Sequence, residues 1–115
     1  MKYLLMIYGN EAAEADVPPA AMQQVMAAYQ AYSQALVAAG VMVGGERLRP
    51  SSAATRVRTG SGKTEVLDGP YADSKEQLGG YYMIEVPDLD QAITWAARCP
   101  GAQHGTMEVR PVWEM

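Results

Sequence analysis

The sequence predicts an α+β domain in which strands and helices follow the order β-α-β-β-β-β-α-β. A strand–helix–strand pattern lies near each end of the chain, and a short hairpin pattern is inserted between them. The chain has 115 residues, of which 49% are hydrophobic and 19% charged, as in an ordinary globular protein. We therefore expect one domain over residues 1–115.

The first unit begins with a strand over residues 2–8 that is apolar at nearly every position, so both of its faces should be buried. A polar, alanine-rich loop is predicted over residues 9–17. A long amphipathic helix over residues 18–40 opens on two prolines, which the first turn tolerates, and stops at a glycine. A short strand over residues 41–43 follows, and we expect the glycine pair at 44–45 to break it.

The middle of the chain predicts a β-hairpin. Strand patterns over residues 55–59 and 63–67 flank the Gly-Ser-Gly turn at 60–62. Charged residues alternate along both strands, which indicates that one side is solvated. A polar stretch over residues 49–54 precedes the hairpin, and a loop rich in charge and glycine follows over residues 68–80.

The second unit consists of a strand over residues 81–86, a helix, and a last strand over about residues 106–112. Asp88 is placed to cap the helix, with Gln91 three positions later. A Pro-Gly pair at residues 100–101 ends the helix. Without the inserted hairpin, the order of elements is the ferredoxin-like pattern.

The faces of this sheet predict a homodimer. Right-handed crossovers place both helices on one face and leave the other face uncovered. The strands over residues 2–8 and 81–86 are nevertheless apolar on both sides. A soluble monomer rarely exposes an apolar sheet of this size, so we predict that two copies pack sheet to sheet about a two-fold axis.

Composition disfavours several classes of partner and site. The formal net charge is −4 and there is no basic run, which argues against nucleic acid and against anionic membrane surfaces. The apolar run over residues 3–8 is too short for a signal peptide, and no stretch is long enough to span a bilayer. The single cysteine, Cys99, permits neither an intrachain disulfide nor a zinc-type cysteine cluster. We expect a cytoplasmic protein without a metal or a cofactor.

The loop over residues 68–76 is the strongest candidate for a ligand site. Five residues in it can contact a polar ligand: Asp68, Tyr71, Asp73, Lys75 and Glu76. Carboxylates beside a lysine can also tune one another's pKa for acid–base work. The alternative interpretation is structural, because Asp-Gly-Pro is turn chemistry and Lys75 with Glu76 can form a solvated ion pair.

Three residues outside this loop complete the candidate ligand-binding set. Tyr81 follows the second glycine pair directly, at the start of a strand. Arg47 and Arg110 can each clamp a carboxylate or a phosphate if the guanidinium points into a cleft. The alternative for both arginines is an edge-strand charge, or a salt bridge with Glu108 or Glu46.

His104 and Cys99 are weaker candidates. His104 is the only histidine, and we place it in a surface loop without a partner in triad-like spacing. Cys99 lies near the end of the second helix, where the helix dipole disfavours a thiolate. We interpret Cys99 as a small packed residue.

One segment carries a family resemblance. The run DGPYADSKEQLGGYY over residues 68–82 resembles the signature of the DGPF group within the YCII-related proteins, with Tyr71 where the group's name has Phe. The segments AARCP at 96–100 and EVRP at 108–111 fit the same group. The resemblance implies a dimeric α/β-barrel fold, and a genomic association with bacterial sigma factors of the extracytoplasmic-function type.

The same resemblance argues against one catalytic mechanism. Other YCII-related proteins resemble enzymes with a His–Asp pair. The corresponding positions here are Ala21 and Cys99, and alanine cannot move a proton. The resemblance therefore does not carry that pair over to this chain.

Two functions remain open at this point. The first is a non-enzymatic, dimeric small-molecule-binding or accessory module, with a pocket between the sheet and the 68–76 loop and a regulatory link to sigma-factor systems. The second is a cofactor-free enzyme of lyase or isomerase type that acts on small organic acids or aromatics. In the second case the 68–76 loop supplies the acid or base and Arg110 holds the anion.

Overall fold

The computed structural model describes residues 1–72 and 74–114. The elements, in chain order, are β1 (Lys2–Gly9), α1 (Glu11–Ala15), α2 (Pro19–Ala38), β2 (Met42–Arg47), a 3₁₀ turn (Ser51–Ala53), β3 (Thr55–Gly60), β4 (Lys63–Asp68), β5 (Gln77–Glu85), α3 (Leu89–Arg98), α4 (Gly101–His104) and β6 (Thr106–Pro111).

Four strands form one antiparallel sheet in the order β2-β5-β1-β6. Side chains from alternate positions of β1 and β5 meet α2 and α3 in a single core. The buried members of this core are Tyr3, Leu5, Tyr32, Leu36, Tyr82, Ile84, Val86, Ala92, Ala96 and Cys99. The predicted α+β class and ferredoxin-like arrangement are confirmed.

The residues between these core positions form the opposite face of the sheet. Leu4 and Met6 on β1 are half-buried, as are Tyr81 and Met83 on β5, and the register places Leu4 beside Met83 and Met6 beside Tyr81. The protein measures 19 Å along its shortest axis, which accommodates one sheet and one layer of helices about 10 Å away. We call the surface centred on these four residues the open face.

Two short helices lie where the sequence analysis predicted loops. The 9–17 segment contains α1, whose first turn is capped because the side-chain oxygen of Asn10 accepts a bond of 3.0 Å from the backbone N–H of Ala13. His104 belongs to α4 and not to a loop. Both helices are shorter than the window over which hydrophobic periodicity can be recognised.

The glycine pairs lie inside strands, which corrects two predicted boundaries. β2 continues through residues 44–45 to Arg47, and β5 begins at Gln77, four residues before the predicted start. A Cβ on Gly45 would lie 2.7 Å from the Tyr81 carbonyl oxygen, and one on Gly80 would lie 2.9 Å from the Glu46 carbonyl oxygen. These glycines therefore allow β2 and β5 to approach each other closely, and do not break either strand.

The predicted hairpin forms a separate two-stranded sheet of β3 and β4. Its turn residues Ser61 and Gly62 have φ of 51° and 75°, the left-handed pair of a type I′ turn. Val57 and Val66 face each other across the strands and are 65% and 61% exposed. The side that carries both valines is thus in water, and on the other side only Arg56 is half-buried, whereas the sequence predicted solvation of the charged side alone.

Buried hydroxyl groups connect α2 to the rest of the core. The Tyr32 hydroxyl donates to the Trp95 carbonyl oxygen at 2.7 Å, and the hydroxyls of Ser33 and Tyr82 share a bond of 2.8 Å. Desolvation raises the pKa of Tyr32 and of Tyr82, and it also raises the pKa of Tyr29 and of the Cys99 thiol.

We expect the free energy of unfolding to fall as the pH rises above the ordinary pKa values of 9.0 for cysteine and 10.0 for tyrosine. In this range the unfolded chain releases protons that the folded chain keeps, since burial raises the pKa of these four groups only in the folded state. Urea unfolding at a series of alkaline pH values, followed by tryptophan fluorescence, measures the slope. Tyr29→Phe should reduce the slope, whereas Tyr71→Phe, at an exposed position, should not. A stability that stays level through this range would contradict the prediction.

Candidate functional site

A shallow depression of about 470 Å³, open to solvent and called the cleft below, lies at one end of the open face. Six residues line it: Tyr8, Ser74, Lys75, Glu76, Thr106 and Glu108. Tyr8 pairs with Thr106 and Met6 pairs with Glu108 across β1 and β6, so these side chains project on the same side as the open face. The cleft therefore has one wall from the sheet and one from the loop that precedes β5.

Hydrogen bonds hold this loop against the sheet. The Thr106 hydroxyl donates to Glu76 Oε1 at 2.7 Å, and the Gln77 side-chain amide donates to the Ser74 carbonyl oxygen at 2.6 Å. The Ser74 hydroxyl donates to the Glu76 carbonyl oxygen. An ionised carboxylate has about four acceptor positions, so Glu76 keeps capacity to accept from a ligand while it holds Thr106.

The start of α1 ties the base of the hairpin to the same end of the sheet. The Glu11 carboxylate accepts bonds of 2.7 and 2.6 Å from the backbone N–H and the hydroxyl of Ser51. The backbone N–H of Glu11 in turn donates to the Gln77 side-chain oxygen at 3.0 Å. The segments that enter and leave the hairpin are thereby fixed beside the cleft.

The charges of the cleft are two carboxylates, Glu76 and Glu108, and the ammonium group of the exposed Lys75. Arg110 adds a second cation next to it, since its guanidinium lies 3.6 Å from the Glu108 carboxylate. The two side chains of this pair are 68% and 45% exposed, so the attraction is screened by water and contributes little to stability. The cleft can accept hydrogen bonds from hydroxyl groups and can bind an oxygen anion at Lys75.

The structure brings four of the predicted ligand-binding residues to this region. Lys75 and Glu76 line the cleft directly. Tyr81 lies on the open face between Met6 and Glu46, and Arg110 reaches the rim of the cleft through its ion pair with Glu108.

Three other predicted residues lie elsewhere. Arg47 is on β2, at the opposite edge of the sheet from Arg110, so the two arginines do not form one clamp. Asp68 pairs with Thr55 at the base of the hairpin, and the Tyr71 side chain is 86% exposed. Asp73, the remaining candidate, lies outside the described residues.

Sequence reasoning did not select Tyr8, Ser74 or Thr106, and it considered Glu108 only as an ion-pair partner of Arg110. A usable signal was present in the sequence, because Leu4, Met6 and Tyr8 are spaced two residues apart along β1 and therefore lie on the same face of the strand. Recognising it as a cleft residue requires the pairing of β1 with β6, which unites positions about one hundred residues apart in the chain.

Residues 1–72 and 74–114 form neither a metal-binding cluster nor a membrane-spanning helix. Within these ranges, no three His, Cys, Asp or Glu residues are grouped closely enough to hold a metal ion. No helix in the same part of the chain has the length and hydrophobicity needed to cross a membrane.

Comparison with known proteins supplies a family. An uncharacterised protein of Rhizobium meliloti is 35% identical over 114 residues, which are 97% of this chain and 92% of that protein. Among solved structures, the chain is similar to 5-chloro-2-hydroxyhydroquinone dehydrochlorinase from Burkholderia phenoliruptrix, in complex with 2,5-dihydroxybenzoquinone. The TM-score is 0.52 at 18% identity over 99% of this chain and 94% of that one, and this likeness agrees with the predicted fold of the dimeric α/β-barrel class. The YCII-related domain family matches residues 1–115, and the chain belongs to that family.

Proposed function

We propose that this chain is one protomer of a homodimeric module that binds a small hydroxylated organic molecule in the cleft. One observation carries the proposal: polar groups from the loop before β5 and from β1 and β6 converge on a single cleft beside an apolar surface. An apolar surface with a few convergent polar groups is typical of small-molecule sites.

The lining favours a particular class of ligand. The carboxylates of Glu76 and Glu108 accept hydrogen bonds from hydroxyl groups, and Lys75 binds a carboxylate or phenolate oxygen. The Tyr8 ring offers a flat apolar surface for an aromatic or quinoid ring. The dehydrochlorinase structure contains 2,5-dihydroxybenzoquinone, a small ring with oxygen substituents, which supports a ligand of this size and kind.

A second copy of the chain would complete the site. Leu4, Met6, Tyr81 and Met83 leave an apolar surface in water, which is unfavourable by about 25 cal/mol for each Å². Two such faces packed together would remove this surface from water. Because the cleft lies at the border of the open face, the partner's sheet would supply a further wall.

The resemblance of the 68–82 segment supports a proposal for the subgroup and the biological setting of the chain. We assign the chain to the DGPF group, on the 68–82 segment, and treat residues 1–115 as one domain. We place it in the bacterial cytoplasm, since its single cysteine is fully buried and unpaired. An accessory or regulatory role beside sigma-factor systems is the corresponding biological setting.

A cofactor-free enzyme of lyase or isomerase type is the second candidate, and the dehydrochlorinase activity of the structural neighbour favours it. Glu76 or Lys75 would then act as the general acid or base, because both reach the cleft. Cys99 is fully buried, and burial raises the pKa of its thiol, so it would not supply a nucleophile to this cleft.

We expect Glu76→Gln to weaken binding of a hydroxylated ring by at least about tenfold while the fold stays intact. The glutamine amide keeps an oxygen that accepts the Thr106 bond, but the charge that strengthens a bond from a ligand hydroxyl is lost. Isothermal titration calorimetry with hydroquinone, catechol and resorcinol, which keep neutral hydroxyl groups at pH 7, measures the dissociation constants. Glu65→Gln, which removes an exposed carboxylate from β4, is the matched control and should bind as the wild type does.

The outcomes separate the two candidates. If none of the three compounds binds the wild-type protein, the proposed ligand class is wrong. If Glu76→Gln binds as tightly as the wild type, the ligand site lies elsewhere. Release of chloride from a chlorinated hydroquinone by the wild type, lost in Glu76→Gln and retained in Glu65→Gln, would favour the enzyme.

A further inference from the structure

The two carboxylates of the cleft are held in different ways. Glu108 lies 3.6 Å from the Arg110 guanidinium, and both side chains of this pair are largely in water, which weakens their attraction. Glu76 is half-buried, and its Oε1 accepts a bond of 2.7 Å from the Thr106 hydroxyl. Glu76 is therefore the more firmly held of the two acceptors.

The donor of this bond is fixed by the backbone of the sheet. Thr106 is the first residue of β6 and pairs with Tyr8 on β1. The preceding residue, Gly105, brings the chain so close to β1 that a Cβ there would overlap the Tyr8 carbonyl oxygen. Threonine is also β-branched, which restricts the rotation of its side chain. The Thr106 hydroxyl thus has a defined position beside Tyr8.

The acceptor is fixed only in part by its own loop. The Ser74 hydroxyl donates to the Glu76 carbonyl oxygen, and the side chain of Gln77 bonds both to the Ser74 carbonyl oxygen and to the Glu11 N–H. These bonds hold the main chain around Glu76 and leave its flexible side chain free to rotate. Within residues 1–72 and 74–114, the Thr106 hydroxyl is the one group that donates a hydrogen bond to the Glu76 carboxylate.

We propose that Thr106 is a positioning residue, which fixes the Glu76 carboxylate through Oε1 and thereby presents Oε2 to a hydroxyl group of the ligand. This role rests on the proposed function and deepens it, because it names the residue that orders the main acceptor of the site. The hydroxyl proton of Thr106 is used in the bond to Glu76, so Thr106 acts through Glu76 and does not donate to the ligand. A carboxylate that is already held in place binds a hydroxyl group without the entropic cost of ordering its side chain.

Thr106→Val tests this role, because it keeps the β-branched shape and removes the hydroxyl. We expect the dissociation constant for hydroquinone, measured by isothermal titration calorimetry, to rise by about fivefold, the cost of ordering one flexible side chain on binding. Circular dichroism should be unchanged, since the Thr106 side chain is exposed. Thr106→Ser, which restores a hydroxyl, should bind nearly as tightly as the wild type.

Thr64→Val is the matched control. It removes an exposed threonine hydroxyl that bonds to the Thr59 hydroxyl at 3.0 Å on the hairpin, and neither residue lines the cleft. This variant should bind hydroquinone as the wild type does.

A double-mutant cycle with Glu76→Ala separates positioning from direct contact. In a protein that already carries Glu76→Ala, Thr106→Val should have no further effect, because the carboxylate that it positions is gone. A threonine that contacts the ligand itself, or that only maintains the shape of the cleft, would cost the same in both backgrounds. Thr106→Ala, which removes the same hydroxyl without the β-branch, should give the same pattern as Thr106→Val.

The possible results distinguish this role from the proposed function. If Glu76→Gln weakens hydroquinone binding and Thr106→Val does not, the positioning role is wrong and the ligand site stands. Equal losses from Thr106→Val with and without Glu76→Ala would also overturn the role. If the wild type binds none of hydroquinone, catechol and resorcinol, the proposed function fails and this role fails with it.

Discussion

Met83→Lys should convert the proposed dimer into a folded monomer. Met83 lies in the middle of the open face, between Leu4 on β1 and Gly44 on β2. A two-fold dimer buries this position twice, and each unpaired ammonium group placed in an apolar interface is costly. We expect the dimer dissociation constant to rise by at least about 100-fold in sedimentation equilibrium. Circular dichroism should remain that of the wild type, because the lysine is in water once the subunits separate.

Val37→Lys is the matched control for this experiment. Val37 is 64% exposed on α2, on the helix-covered side of the sheet, so the substitution adds the same charge at an apolar residue outside the open face. The control should dimerise as tightly as the wild type. If Met83→Lys also remains dimeric, the open face is not the interface and the proposed partner wall of the cleft is lost with it.

Gly105→Ala should destabilise the fold by about 3 kcal/mol, the upper end of the usual cost of overpacking. Gly105 lies between α4 and β6, and a Cβ there would overlap the carbonyl oxygen of Tyr8. That neighbour is backbone in the central part of the sheet, which cannot rotate away, so β1 and the start of β6 must separate. Urea unfolding measures the loss, and weaker ligand binding should accompany it because Tyr8 and Thr106 line the cleft.

Gly60→Ala provides the comparison. A Cβ on Gly60 has no neighbour within 4 Å, so the substitution should change the free energy of unfolding by less than about 1 kcal/mol, in the stabilising direction. Equal stability of Gly105→Ala and Gly60→Ala would mean that the β1–β6 junction is looser than its geometry indicates.

Local signals in the sequence predicted the elements that depend on local chemistry. α2 begins at Pro19, and α3 begins after Asp88, whose carboxylate accepts a 2.9 Å bond from the Gln91 N–H as the capping pattern indicated. The hairpin turn followed from Ser61 and Gly62. These features involve residues within four positions of each other, so the sequence contains the whole interaction.

Features that depend on distant contacts were not predictable in the same way. Gly45 was predicted to break a strand and Gly80 to lie in a loop, whereas the structure places each of them in a strand, against the backbone of the neighbouring strand. α1 is supported by Glu11, whose carboxylate binds Ser51 forty positions later. The intrinsic conformational preferences of these residues favour a loop in both places. Tertiary contacts instead stabilise strands at the glycines and a helix at Glu11.

In the candidate site, too, the residues of the local loop were predictable and the residues from distant strands were not. Lys75 and Glu76 were predicted because charges cluster in the 68–76 segment, and they do line the cleft. Tyr8, Thr106 and Glu108 come from β1 and β6, and only the strand order brings them to that loop. Arg47 and Arg110 looked equivalent in sequence, but they lie at opposite edges of the sheet.

The association state of the wild-type protein decides whether the open face is an interface between two copies of the chain. In the proposed dimer, another molecule of the same chain covers the apolar side of the sheet. Sedimentation velocity at low micromolar concentration should give a single species of twice the 12.4 kDa chain mass. A stable, well-behaved species of 12.4 kDa under these conditions would contradict the account.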